Sequence, residues 1–194
     1  YLGKRRNANK FVWSKRCEEL IRPHKENVAA IGAPWLYLDD IYPRILDLPK
    51  KGVVAYPAHS SSWSKMGDTH LENSEYLFDK YKNVTVVLHR YDYSDSKIRQ
   101  SYEKLGHKTY CHGNGTPWEK DYDPMFLKSQ RDFLSLFETI VANTLQTAVL
   151  YATSLGLNAE IGGPIDYSNT EENDKASQFG DGNTNWNKKL KLNK

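Results

Sequence analysis

The sequence predicts an α/β fold, a doubly wound parallel sheet of about five or six strands with helices on both faces. One observation is that short β-branched or aromatic runs alternate along the chain with stretches of helical spacing. The other is that turn residues separate each run from the next stretch, as between the helical stretch 70–82 and the run VTVVLH at 84–89. This alternation indicates βαβ crossovers, in which a helix joins two parallel strands.

The strands are predicted where β-branched or aromatic residues run together between turn residues. They lie at 27–31, 52–56, 84–89, 107–111, 137–142 and 158–162. The run GVVAY at 52–56 is continuously apolar and is bounded by Pro49 and Pro57. Such a run suits a strand that is buried on both faces of the sheet.

The helices are predicted from apolar spacing together with residues that start or stop a helix. They lie at 14–22, 70–82, 94–105, from Asp123-Pro124 through Leu134, and at 145–155. Ser94 is the predicted N-cap of the third helix, and Gly106 follows its end. Pro124 takes the first position of the fourth helix. Asn143 and Thr144 are predicted to open the last one.

Composition limits the class of protein. With 194 residues the chain can bury roughly 70 % of its unfolded surface. A net charge of +3 does not favour a dedicated nucleic-acid binder. The sequence holds no apolar run long enough to cross a membrane, and no apolar run follows the basic residues 1–10, so neither a transmembrane helix nor a signal peptide is predicted. Cys17 and Cys111 match no metal spacing and are predicted to be free thiols.

Candidate binding residues follow the strands, because ligands of open parallel sheets bind beyond the carboxyl ends of the strands. The four loops carry His59 and Ser60; Arg90; Gly113 and Asn114; and Asn143, Thr144 and Thr147. Arginine and a helix N-terminus both suit phosphate. Each loop also has a structural interpretation that stays open: a helix-capping loop, a solvated strand end, a tight turn and an N-cap, in that order.

Several other site chemistries are disfavoured by missing motifs. The sequence contains no GxGxxG, no GxxxxGK[ST] and no GxSxG string, which disfavours dinucleotide-binding, Walker-type and α/β-hydrolase sites. The six histidines show no HxxxH or HxH spacing, so no metal site is predicted.

Four strings together resemble the second lobe of GT-B-type bacterial glycosyltransferases and of related sugar-nucleotide epimerases. They are IGAPWLYL (31–38), GVVAYPAHSSS (52–62), VTVVLHR (84–90) and ETIVANTLQTAVLYATSLGLNAEIGGP (138–164). The resemblance covers roughly residues 11–165. It implies a Rossmann-like, donor-nucleotide-binding lobe at 51–165, preceded at 1–50 by a remnant of the other lobe with its connector and followed at 166–194 by a polar tail. The chain would then be a fragment of a larger protein.

The resemblance also implies roles for the candidate residues. Asn143, Thr144 and Thr147 would lie by the donor diphosphate, with Arg90 near phosphate. His59 and Ser60 would face the cleft, and His59 is the candidate catalytic acid or base because its ordinary pKa lies near neutrality. The donor would be a nucleotide-diphosphate sugar, bound without a metal or other cofactor in surface-polysaccharide synthesis, in the cytoplasm or at the inner face of the membrane.

Two features of the sequence depart from the family pattern. The late helix has Ala148-Val149-Leu150-Tyr151 where many members place a ribose-binding Glu, and Gln146 replaces a small residue. The first lobe, which usually supplies the catalytic base, is nearly absent. Whether the chain is an active enzyme therefore stays open.

Two further hypotheses concern other classes of function. A non-catalytic α/β binding or assembly module stays open, and the discriminating feature is whether the strand-end loops form a polar cleft or pack shut. A flavodoxin-like or response-regulator domain is disfavoured because no acidic cluster follows the first strand. Partners would be the missing lobe or a second copy, the latter through an exposed surface around Trp13, Trp35 and Tyr37.

Overall fold

The computed structural model describes residues 9–24, 27–44, 49–61, 66, 68–116 and 119–165. The chain divides into two compact units, Tyr1–Ile45 and Leu46–Lys194. The polar tail predicted at 166–194 lies outside the described residues.

The first unit is a small βαβ element. It contains β1 (Lys10–Val12), α1 (Lys15–Ile21), a 3₁₀ turn (Arg22–His24), β2 (Val28–Ala30), a second 3₁₀ turn (Pro34–Tyr37) and α2 (Leu38–Ile41). β1 and β2 pair in parallel. Ser14 caps α1 by accepting a hydrogen bond from the backbone N–H of Cys17. In the predicted surface around Trp13, Trp35 and Tyr37, Trp13 and Tyr37 are exposed but Trp35 is buried, so this expectation was wrong for Trp35.

The second unit is the predicted doubly wound sheet. Its elements are β3 (Val53–Ala55), α3 (Thr69–Tyr81), β4 (Thr85–Val87), α4 (Arg90–Ser94), α5 (Ser96–Glu103), β5 (Lys108–Tyr110), α6 (Phe126–Leu134), β6 (Thr139–Ala142), α7 (Thr147–Ser154) and β7 (Asn158–Ile161). The strand order is β5-β4-β3-β6-β7, and all neighbours are parallel. The chain winds outward from β3 to β5, returns to the centre and winds outward again to β7. The fold-class prediction is confirmed.

The core lies on the strands, as the continuous apolar runs predict. Val54, Val86 and Ile140 are completely buried. Leu77 of α3 and Tyr102 of α5 pack in one cluster with Ala55, Val86 and Val141 of the strands. Right-handed crossovers that run in opposite directions place their helices on opposite faces, so helices cover both sides of the sheet. Polar and apolar residues therefore do not alternate along the central strands, because both faces are buried.

Helix starts differ from the predictions at three places. α5 is capped by Asp95, whose carboxylate accepts from the N–H of Lys97 at 2.9 Å, and Ser94 belongs to α4. α6 begins at Phe126 rather than at Pro124, after the Asp123 carboxylate accepts from the N–H of Met125 at 2.8 Å. The start of α5 shifts because the Asp95 carboxylate caps the helix, whereas Asp123 forms a turn ahead of α6, whose own N-cap, Met125, makes no side-chain cap bond.

The third difference concerns the last helix. α7 begins at Thr147, so Asn143 and Thr144 lie in the loop before it and do not open it. The side chain of Asn143 is used elsewhere, in hydrogen bonds to two other strand-end loops. The end of α5 follows prediction, since Gly106 has a positive φ of 85°.

Candidate functional site

The carboxyl edge of the sheet gathers the loops that the sequence singled out. Because β3, β4, β5 and β6 are parallel, the loops after them leave at the same edge. The strand order reverses between β3 and β6, and in open α/β sheets the ligand crevice forms at such a reversal. We call the loops after β3 and β6 the crevice side, and the loops after β4 and β5 the outer side.

Asn143 holds the crevice side together. It is 3 % exposed. Its Oδ1 accepts a hydrogen bond from the N–H of Ala58 at 2.6 Å, and its Nδ2 donates to the carbonyl of Pro164 at 2.8 Å. Gln146 makes a similar link, since its Nε2 donates to the carbonyl of Tyr56 at 2.5 Å. These amides therefore join the loops after β3, β6 and β7 into one floor.

Thr144 and Thr147 lie on either side of Gln146, between β6 and the first turn of α7. Thr144 is half-buried, and Thr147 is exposed at the first position of α7. Neither hydroxyl has a hydrogen-bond partner among the residues that the structure describes. The N-terminal end of α7 carries partial positive charge from its free N–H groups, which favours a negative ligand.

His59 stands on the loop after β3 with its ring exposed. The ring stacks on His89, with centroids 4.4 Å apart and planes inclined by 18°. His89 packs in turn against Tyr91 at 5.1 Å. Burial, together with the neighbouring His59, lowers the pKa of His89 to about 4. His89 is therefore a neutral ring at physiological pH.

Ser60 is fixed by contacts inside the protein. Its N–H donates to Asp92 at 2.9 Å, and its hydroxyl accepts from the N–H of Met66 at 3.1 Å. Asp92 is almost fully buried and lies 3.4 Å from Nε2 of His70. Burial alone would raise the pKa of Asp92, but His70 and Ser60 together hold it below its usual range. The Asp92 carboxylate thus fixes the loop that carries His59.

The charged groups of the outer side pair with one another. Arg90 pairs with Glu119 and, at 3.5 Å, with Asp121. The Nδ2 of Asn114 donates to the same two carboxylates, at 3.0 and 2.8 Å. The Oδ1 of Asn114 accepts from the N–H of Thr116 at 3.0 Å. A phosphate that reaches Arg90 must therefore compete with two carboxylates.

Gly113 provides the turn that this arrangement needs. It is exposed and has a positive φ of 89°, a conformation that side chains other than glycine rarely adopt. A Cβ there would meet no atom within 4 Å, so the glycine is required by the backbone conformation rather than by space. The tight-turn interpretation of Gly113 agrees with this geometry.

A buried pair beneath the outer side was not singled out from the sequence. The hydroxyl of Tyr56 lies 2.8 Å from Nε2 of His112. The His112 ring contacts the rings of Tyr110, Phe126 and Phe133. Burial lowers the pKa of His112 to about 4. Tyr56 and His112 each follow the end of a strand, and parallel strands end at the same edge of the sheet. This position in the sequence could have predicted that the two residues lie close together.

The predicted site residues therefore form two groups. His59, Ser60, Asn143, Thr144 and Thr147 belong to the crevice side, whereas Arg90, Gly113 and Asn114 belong to the outer side. Their roles toward a ligand stay predictions. In the part of the chain that the structure describes, no helix is long and apolar enough to cross a membrane, and no group of three or more His, Cys, Asp or Glu is placed to hold a metal ion.

Comparisons with known proteins gave structural neighbours at low sequence identity. No protein-family model matches the sequence, and no curated protein matches it. A co-structure of S. aureus MnaA with UDP aligns at 12 % identity and a TM-score of 0.43, over 84 % of this chain and 49 % of that one. A glycosyltransferase from Rickettsia africae ESF-5 aligns at 10 % identity and a TM-score of 0.38, over 83 % and 47 %. The chain spans about half the length of each of these two.

Proposed function

We propose that the chain is the nucleotide-sugar-binding lobe of a glycosyltransferase-like protein of bacterial surface-polysaccharide synthesis. The observation that carries the proposal is the reversal of strand order between β3 and β6. In open parallel sheets, ligands bind at the carboxyl edge beside such a reversal. The crevice side also presents the hydroxyls of Thr144 and Thr147, which have no hydrogen-bond partner among the described residues, at and before the N-terminus of α7.

The donor diphosphate is assigned to the rim formed by Thr144, Thr147 and the first N–H groups of α7. Hydroxyls and a helix N-terminus can hold a leaving diphosphate without a metal ion, which is the mode proposed for this lobe. Arg90 would add a cation after exchanging its carboxylate partners for phosphate. Asn143 and Ser60 would shape the crevice, because their polar atoms already bond to protein.

Sugar transfer itself would need more than this lobe. Displacement at the anomeric carbon requires an acceptor hydroxyl and a base, which a second lobe or a partner chain would supply. The acid–base role predicted for His59 stays a prediction. The proposal for this chain is therefore donor binding, and transfer is proposed only for the complete assembly.

A thermal-shift panel with UDP, CDP, GDP, dTDP and CMP tests donor binding. A ligand at 100 times its Kd stabilises the folded state by about 2.7 kcal/mol, which corresponds to a rise of roughly 5–11 °C in Tm for a chain of this size. We expect one base to give such a shift and the others to give much less. No shift with any nucleotide would contradict the proposal.

Variants locate the site. Thr144→Ala and Thr147→Ala should each weaken the selected nucleotide about fivefold or more by isothermal titration calorimetry. Thr153→Ala is the matched control, because Thr153 is exposed at the far end of α7 and its hydroxyl donates to the carbonyl of Leu150. Unchanged affinity in both variants would show that the diphosphate does not bind at Thr144 and Thr147.

A non-catalytic binding or assembly module is the second candidate function. One observation favours it: Arg90 and Asn114, two of the predicted phosphate contacts, bond to carboxylates of the same loop region. If no nucleotide of the thermal-shift panel raises Tm, and Arg90→Ala lowers only the Tm of the free protein, the outer side stabilises the fold without binding a ligand. The second function is then preferred.

A further inference from the structure

The ring of His59 is held as a flat surface with one face covered. His89 covers that face in a nearly parallel stack, 4.4 Å between centroids. The residue is nevertheless exposed. The opposite face of the ring is therefore the part of this aromatic pair that a ligand can reach, at the end of β3 and beside the reversal of strand order.

Hydrogen bonds fix the orientation of this ring. The Nδ1 of His59 lies 2.8 Å from the carbonyl oxygen of Ser60. Ser60 is in turn held by Asp92 and by the N–H of Met66. Asp92 itself is buried against His70. Since little freedom remains to be lost on binding, a ligand that stacks here gains affinity from the pre-oriented surface.

The electrostatics suit an uncharged aromatic ligand. The pKa of His89 is lowered to about 4 by burial and by His59, so the backing ring stays neutral above pH 5. The Arg90 guanidinium lies 4.5 Å from the ring of Tyr91, and its charge is balanced by Glu119 and Asp121. A parallel stack of two rings, the backing one neutral, next to a compensated cation resembles the platforms on which bases of single-stranded nucleic acids stack.

We propose that His59, backed by His89, is the platform on which the base of the bound nucleotide stacks. This inference rests on the proposed function and names the part of the ligand that each group contacts: the base on His59 and the diphosphate at Thr144 and Thr147. It gives His59 a role different from the predicted acid or base, because the nucleobase and the anomeric carbon lie at opposite ends of a nucleotide sugar.

The test compares a nucleotide with a ligand that has no base. We would titrate the best-binding of UDP, CDP, GDP and dTDP, and separately sodium pyrophosphate, into the wild-type chain, His59→Ala and His59→Phe. Stacking predicts that His59→Ala weakens the nucleotide about 5- to 30-fold and pyrophosphate less than twofold. The flat ring of His59→Phe should restore nucleotide affinity to within about threefold of wild type.

A spectroscopic signature accompanies the affinities. The base protons of the bound nucleotide should shift upfield in NMR spectra with the wild-type chain and with His59→Phe, and this shift should disappear with His59→Ala. Equal Tm values for the three proteins would show that folding is unchanged, as expected for an exposed side chain.

The alternative outcomes separate the inference from the proposed function. If His59→Ala weakens nucleotide and pyrophosphate equally, His59 contacts phosphate and the inference is wrong. The inference is also wrong if His59→Phe binds as weakly as His59→Ala, because a ring nitrogen then matters. If His59→Ala changes nothing while the nucleotide binds, only the inference fails. If wild-type chain binds neither ligand, the proposed function fails with it.

Discussion

The two sides of the carboxyl edge use similar residues to opposite effect. On the outer side, Arg90 and Asn114 bond to Glu119 and Asp121, so the charge of Arg90 is balanced within the protein. On the crevice side, Asn143 also bonds to protein, but the hydroxyls of Thr144 and Thr147 have no partner among the described residues, and His89 covers only one face of the His59 ring. A polar residue at a strand end is thus a candidate ligand contact only after its protein partners have been counted.

The largest expected loss of stability comes from removing the hydrogen bonds of Asn143. Asn143→Ala leaves the N–H of Ala58 and the carbonyl of Pro164 without their partners, at a cost of about 3 kcal/mol. Tm should then fall by roughly 6–12 °C. Calorimetry or circular dichroism measures the change.

The matched control for that variant is Asn158→Ala, an exposed asparagine at the start of β7. It should change the free energy of unfolding by less than about 0.5 kcal/mol. Equal Tm values for the two variants would show that the Asn143 links contribute no stability.

The outer side should lose stability in acid through His112. Its pKa lies near 4 in the folded state, below the ordinary value of 6.5. The unfolded chain therefore takes up the proton first, and the stabilisation that is complete above pH 6.5 is lost as the pH falls toward 4. By pH 4.5 the loss from this group should reach roughly 2–3 kcal/mol.

Denaturant titrations at pH 7.5 and pH 4.5 measure this loss, with His112→Gln as the comparison. Glutamine is polar and does not titrate, so the variant should lose less stability across the same range. The remaining slope comes from His89, whose pKa is also about 4, from His107, whose pKa burial lowers, and from the aspartates whose pKa is lowered in the folded state, Asp92, Asp121 and Asp132. Parallel pH curves for wild type and variant would exclude His112 as a source.

A smaller loss of stability is expected from adding a side chain at Gly115, in the loop after β5. A Cβ at Gly115 would lie 2.7 Å from the ring of Phe126. Gly115→Ala should therefore destabilise the fold by about 1–2 kcal/mol. Adding Phe126→Leu should recover part of the loss, which a double-mutant cycle measures. Additive effects would mean that the two residues do not meet.

The smallest effect would sharpen the contrast between the sides. Glu119→Gln removes one of the two carboxylates that hold Arg90. If Arg90 reaches the donor phosphates, the affinity for the best-binding nucleotide should rise about threefold. Glu75→Gln, an exposed change on α3, is the control for the loss of charge. An unchanged or weaker affinity would restrict Arg90 to its role in the loop.

Local pattern predicted the fold but not the partners of polar side chains. VTVVLH and GVVAY became central strands because a continuous apolar run has few other stable places. By contrast, α4 was missed, since Arg90–Ser94 carries no apolar spacing. Asn143 was assigned to a helix cap because the sequence shows only its neighbours, whereas Ala58, which it bonds, lies 85 residues away. The pairing of Arg90 with Glu119 could not be predicted for the same reason, because Glu119 lies 29 residues after Arg90.

The strand order also has a consequence for the order of folding. β3, β4 and β5 are consecutive in sequence and adjacent in space, so this half of the sheet closes only local loops. β6 must return to the centre and pair with β3 across the longest chain separation in the sheet, where Val54 meets Ile140. Such distant pairings form late because loop closure costs entropy. A molecule that binds between β3 and β6 would therefore bridge the two halves of the sheet at the pairing that forms last, and would slow hydrogen exchange in both.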